Sequence, residues 1–246
     1  MKIHRFISTL ERVGTKMAIT DENLVFQIHT VLKLEPGEQI DITDGKGKIT
    51  HCQILSCDKE KIEVLELSIH TKIQEQKLRL HAFLAILKKD NFELAVQKMT
   101  ELGITDITPI ITDRTIKKGL DTLRLERIIK EAVEQSGQSI LPVIHEELDF
   151  DQAIYEAVRD YGHIVCFEEE IDESHDQSTP SKKTPNQNNL RLASLAFFVG
   201  PEGGWTDREL ELFDREKAIR VSLGDTTLRG ETAAIVGTFY LKRLQK

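Results

Sequence analysis

From residue 76 onward, apolar runs of strand length alternate with stretches of helical period, and that alternation leaves few folds open. LRLHAFLAIL, ITPIIT, LPVI, HIVCF, SLAFFVG and VSLG read as strands. FELAVQKMTEL, TLRLERIIKEAVEQS, DQAIYEAVRDY, WTDRELELF and ETAAIVGTFYLKRL read as helices. Strands joined through helices run side by side in one direction, so this part is an α/β unit with a mostly parallel sheet. Asp90-Asn91 and Asp121 are candidate helix caps, and Gly103 and Gly137 are stop signals. Residues 1–70 have another texture. The runs VFQIHTVLKL, QIDITDG, KITHCQIL and KIEVLELSI alternate apolar and polar positions, which predicts a small antiparallel β domain. Asp44-Gly45 fits a tight hairpin turn, and Gly47 is expected to leave that loop flexible.

The net charge of −8 argues against a nucleic-acid partner until it is located. Residues 145–192 hold 4 basic and 12 acidic side chains, so that segment carries the whole imbalance and the remainder is neutral. Within it, 168–192 combines low hydrophobicity with prolines and amides and is expected to be a mobile acidic insertion. Its carboxylates Glu168, Glu169, Glu170 and Asp172 are read as a solvated face. No stretch approaches the roughly 20 apolar residues that span a bilayer, and the first residues carry no signal-peptide run, so a cytoplasmic protein without membrane contact is expected. Cys52, Cys57 and Cys166 form no CxxC pair and are read as buried thiols of a reducing compartment. The histidines show no HxH or HExxH spacing, and no metal is expected.

Two segments carry the candidate chemistry. In Phe197-Phe198-Val199-Gly200-Pro201-Glu202-Gly203-Gly204-Trp205-Thr206, a buried strand runs into a loop whose glycines remove side chains and whose Pro201 stiffens the turn. Thr206 with Glu209 forms a T-x-x-E capping box, so the next helix starts there. The residues alone fit either a ligand cradle or a strained turn. In Val221-Ser222-Leu223-Gly224-Asp225-Thr226-Thr227-Leu228-Arg229-Gly230-Glu231-Thr232 the same strand, loop and helix order recurs. Arg229 beside Glu231 fits a site or an ion pair that caps the helix. Two such turns point to a ligand, because open α/β sheets bind ligands outside the carboxyl ends of their strands.

The set LKKDNFELAVQKMTELGITDITPIITDRT, EAVEQSGQSILPVI, FFVGPEGGWTDREL and LGDTTLRGETAA resembles, in that order and nearly end to end, the bacterial family of 16S rRNA uridine N3-methyltransferases of the SPOUT superfamily. The resemblance implies a PUA-like antiparallel β-barrel that helps hold RNA over residues 1–72, and over 73–246 a SPOUT domain whose chain end threads a trefoil knot. It also implies S-adenosylmethionine as methyl donor, a homodimer, and 16S rRNA, within the small ribosomal subunit, as substrate. Another SPOUT enzyme with a different RNA target and a non-catalytic assembly factor are the alternatives. Two positions depart from the family pattern: Gln138 stands where an arginine usually follows EQSG, and Gly230 gives LRGETA for LRTETA. The first removes a cation for phosphate or the partner subunit, and the second is expected to loosen the helix start.

On this resemblance the cofactor is held by Val199, Gly200, Pro201, Gly203 and Gly204 of the first loop and by Leu223, Gly224, Leu228 and Thr232 of the second. Removing the imide proton of uracil spreads negative charge onto its two carbonyl oxygens, and Arg229 is the candidate to face them. Glu202 and Glu231 are candidate proton acceptors, with capping of backbone N–H groups as the alternative for each. Arg5, Arg114 and Lys117 are candidate phosphate contacts.

Overall fold

The structure, a computed structural model, describes residues 3–13, 16–71, 79–116, 119–168 and 194–244. Lys117 and, apart from Glu168, the acidic insertion lie outside the described residues. The chain forms two compact units, one of Met1–Glu75 with Lys130–Leu141 and one of Gln76–Ile129 with Pro142–Lys246.

The first unit is built on β1 (His4–Ile7), β2 (Glu11–Val13), β3 (Lys16–Ile19), β4 (Gln39–Thr43), β5 (Lys48–Cys57) and β6 (Ile62–Thr71), in sheet order β1-β4-β5-β6-β3-β2. Two expectations are corrected here. The sheet is mixed, because β1 runs parallel to β4 while the other pairs are antiparallel. The run 25–34 is not a strand: helix α1 (Glu22–Phe26) continues into a wider π-turn over Gln27–Val31. Asp21 accepts from Leu24 N at 2.8 Å and starts the helix, and Leu24, Val25 and Ile28 bury a helical face against Ile19, Ile40 and Ile54. Phe26 and Val31 stay exposed, and these outward apolar side chains produced the false alternation.

The loop between β4 and β5 is also more fixed than its glycines suggest. Asp44 Oδ1 accepts from Lys46 N and Lys48 N, Gly45 O accepts from Leu141 N, and Gly47 N donates to Ser139 O. The segment Lys130–Leu141 thus supplies backbone partners to this hairpin.

The second unit is an all-parallel sheet of β7 (Arg79–Ala85), β8 (Asp106–Ile111), β11 (Ile164–Glu168), β12 (Ser194–Val199) and β13 (Ile219–Ser222), edged by the short β9 (Val143–Ile144) and β10 (Leu148–Asp149). The order is β10-β8-β7-β12-β11-β13, with β9 also on β8. Its helices are α2 (Lys89–Glu101), α4 (Phe150–Asp160), α5 (Asp207–Arg215) and α6 (Gly230–Arg243), with the part of α3 (Thr122–Ser136) up to Ile129, the rest of α3 belonging to the first unit. Asp121 accepts from Arg124 N and caps α3 as expected. Asp90-Asn91 do not cap α2, which begins one turn earlier with Lys88 at its N-cap. None of the described helices is long and apolar enough to cross a membrane.

The core on one face of this sheet is aromatic. Phe83 stacks on Phe198 at 4.7 Å, and Phe150, Phe213 and Trp205 close around them at 5.1–6.3 Å. Such pairs each add roughly 0.5–1.5 kcal/mol beyond the area they bury. At the edge of this cluster His81 sits buried between Tyr161 Oη, 2.6 Å from Nδ1, and Thr108 Oγ1, 2.7 Å from Nε2. Burial pushes its pKa down to about 3, so the ring is neutral at pH 7. Cys52 and Cys166 are buried and Cys57 half-buried, and burial pushes the Cys52 thiol up to about 12.

Because the unfolded chain takes up a proton on His81 near pH 6.5 and the fold does not until about 3, stability falls as pH drops through that window. Between pH 7 and pH 5 the loss from this group is on the order of 2 kcal/mol. Urea unfolding at both pH values should show His81→Gln losing less stability on acidification than the wild type. An equal loss in both proteins would show that His81 is not the buried neutral group.

Candidate functional site

The two glycine-containing loops meet at the carboxyl ends of β12 and β13. A cavity of about 440 Å³ opens there, lined by the 199–205 loop, by Leu223 and Thr226–Gly230, and by Phe167, Glu168, Leu210 and Arg114. The position obeys the rule for ligands in open α/β sheets, and the volume lies in the range of small-molecule sites.

Trp205 fixes the first loop. Its ring is 8% exposed within the aromatic core, its Nε1 donates to Phe167 O at 2.9 Å, and a Cβ at Gly200 would meet the ring at 3.0 Å. Gly204 holds φ +69°, which disfavours other residues. The capping box at Thr206 is formed, with Thr206 N donating to Glu209 Oε2. Glu209 is fully buried, and its other oxygen accepts from Asp113 N at 3.0 Å. A buried carboxylate is tolerable because these donors replace its water.

Arg114, a candidate phosphate contact, clamps this loop: its Nη1 donates to Gly203 O at 2.7 Å and to Trp205 O at 3.0 Å. The missing Cβ of Gly203 makes room for it, since a Cβ there would meet Arg114 Cβ and Cδ at 3.3 Å. Arg5 is likewise committed elsewhere. Its guanidinium donates to Gly137 O and to Asp41 Oδ2 within the first unit, and its side chain is only 17% exposed. Gln138 O also receives from Arg5, and Gln138 Nε2 donates to Ser136 Oγ.

Val199, Gly200, Pro201, Gly203, Gly204, Leu223 and Leu228 all line the cavity, as expected. Gly224 and Thr232 do not: Gly224 sits in a turn where its O accepts from Ser222 Oγ, and Ala233 rather than Thr232 reaches the wall. Arg229 is at the N-cap of α6 and on the cavity wall, with no side-chain cap bond. It is therefore not a side-chain cap of that helix. Glu202 is exposed on the wall, and its Oε1 accepts from Lys88 N at 3.2 Å, which supplies the first turn of α2 with the cap its own residues lack. Glu231 is buried off the wall, and its Oε2 has no partner among the described residues. Gly230 packs closely at the helix start, where a Cβ would meet Leu87 Cδ2 at 2.7 Å.

Sequence reading missed Trp205 as the anchor of the loop and Glu168 as a cavity residue. Glu168 ends β11 and is bonded by Arg220 Nη2 at 2.6 Å. Nothing local separates it from the acidic run that follows. A further group escaped for the same reason. His81, Asp106 and His145 bring potential ligand atoms within 4.8 Å of one another. Asp106 there accepts from Arg79 through both oxygens and from Thr105, so a guanidinium already meets its charge.

The RNA methyltransferase domain family matches residues 74–242, and the RNA methyltransferase PUA domain matches 28–67. The ribosomal RNA small subunit methyltransferase E of Rickettsia conorii is 28% identical over 99% of this chain and 97% of its own length. The protein of that name from Synechocystis is 31% identical over 88% of this chain and 70% of its own. A crystal structure of ribosomal RNA small subunit methyltransferase E from Neisseria gonorrhoeae, bound to S-adenosyl methionine, superposes with a TM-score of 0.81 at 25% identity over 99% of this chain and 98% of that one. The chain belongs to the ribosomal RNA small subunit methyltransferase E family.

Proposed function

We propose that this protein methylates N3 of a uridine in small-subunit 16S rRNA, with S-adenosylmethionine as donor. The observation that carries the reading is the cavity between two backbone-lined loops, with Arg229 and the loop-clamping Arg114 on its wall and apolar side chains beneath. The residues fit that cofactor: Leu223, Leu228 and Trp205 offer apolar surface for a purine, and the 199–204 main chain offers close polar contact. When bound, the cofactor supplies an electrophilic methyl group on a sulfonium.

Arg229 faces the negative charge that grows on the two uracil carbonyl oxygens as the imide proton leaves. Its place on the wall without a capping bond supports the assignment. Of the two carboxylates, Glu202 is exposed on the wall and Glu231 is buried away from it, so Glu202 takes the proton, directly or through water. Trp205, Arg114 and Glu209 hold the loop so that little ordering remains for the reaction. We read residues 1–72 as a PUA-like RNA-holding domain and 73–246 as a SPOUT domain with a knotted chain end, acting in the cytoplasm. A sheet order that inserts β12 between β7 and β11 supports the second reading. We read the protein as a homodimer, supported by the exposed apolar Leu94 on α2 and Val236 and Phe239 on α6, two helices that pack together.

Gly203→Val pushes Arg114 off the loop carbonyls and should abolish binding of S-adenosylhomocysteine. Calorimetry giving equal heats for wild type and variant would sink the loop assignment.

Arg229→Ala should lose methyl transfer to small-subunit rRNA by about 10² to 10³ in rate while keeping most cofactor affinity. Arg229→Lys should restore part of the rate, since a point charge cannot bracket oxygens as a planar fork can. Single-turnover rates at saturating RNA, followed by nucleotide mass analysis for the N3 product, read both the role and the target. Normal turnover by Arg229→Ala, or a modified base other than N3-methyluridine, would overturn the assignment it addresses.

A further inference from the structure

Glu168 closes β11 at the edge of the cavity, in register with Ser222 of β13. Its side chain is only 5% exposed, and a carboxylate so placed is costly unless paired and hydrogen-bonded. Arg220, two residues before Ser222 on the neighbouring strand, provides the pairing. Its Nη2 donates to Oε2 at 2.6 Å, and its Nε lies 2.9 Å from Oε2 and 3.0 Å from Oε1. Arg220 Nη1 is itself held by Asp214 Oδ2 at 3.4 Å. The guanidinium is thus fixed from two sides and in turn fixes the carboxylate.

An ionised carboxylate has about four acceptor positions, and Arg220 fills only part of them. Arg220 meets the charge of Glu168 at close range, and Asp214, 43% exposed and 3.4 Å from Nη1, is screened by solvent, so Glu168 presents directional acceptors without a strong negative field. That combination suits an uncharged hydroxyl donor better than an ammonium or a sulfonium, which would seek net negative charge. Among the groups of the cofactor assigned above, the ribose diol is the one with such donors. We infer that Glu168, oriented by Arg220, is the residue that recognises the ribose hydroxyls of the methyl donor and selects nucleoside cofactors that carry them.

This rests on the cofactor reading, and the test separates the two. Calorimetry on the full-length protein would compare S-adenosylhomocysteine with its 2′,3′-dideoxy analogue. The wild type should prefer the diol by about 10- to 100-fold, the worth of hydrogen bonds to a charged acceptor. Glu168→Ala should bring that ratio close to one. Glu168→Gln keeps the shape of the side chain; it should fold as the wild type does and show a reduced ratio. A structural role would weaken both ligands equally and leave the ratio intact, which would overturn the proposal. So would a wild type that binds both ligands alike. A wild type that binds neither would overturn the cofactor reading, and this inference with it.

Discussion

The indole of Trp205 is the point on which the site depends. A loop with glycines at 200, 203 and 204 has high backbone entropy when free, and ordering each residue costs about 1–2 kcal/mol. Trp205 offsets this by burying its ring among Phe150, Phe198 and Phe213 and by bonding Phe167 O through Nε1. Because Phe167 precedes Glu168 on β11, the same bond ties the first loop to the strand end that forms another wall of the cavity.

Around that anchor, polar groups do what their surroundings demand. Glu209 is fully buried, and the backbone N–H groups of Asp113 and Thr206 that converge on it replace its water. Arg114 saturates two loop carbonyls that would otherwise need water. Glu202 reaches across to Lys88 N, so the β7–α2, β8–α3 and β12–α5 segments are joined by hydrogen bonds at the same end of the sheet. A long charged side chain thus has two uses, and its hydrogen-bond partners decide between them. Arg5 and Arg114 both have theirs inside the protein, while Arg229 presents its side chain at the wall.

The N-terminal unit shows how local pattern and tertiary partner compete. Asp21 and the face Leu24, Val25, Ile28 specify a helix once Ile19, Ile40 and Ile54 are there to receive it. Without those partners, the exposed Phe26 and Val31 make the run look like a strand. The Asp44–Gly47 loop changes character for a similar reason, since residues 139 and 141 pin glycines that would be free in isolation.

The sequence by itself determined the parallel α/β unit, the two loops at its strand ends and the Thr206 capping box, because each is written in a local period or a fixed short spacing. Only the tertiary structure decided that β1 runs parallel to β4, that Gly203 makes room for Arg114, that Gly230 lies against Leu87, and that Glu168 leaves the acidic run for the cavity. Each of these depends on a partner between 36 and 143 positions away in the chain or, for Glu168, on Arg220 in the adjacent strand. Contacts of that kind have no period, and they exist only once the sheets have brought the strand ends together.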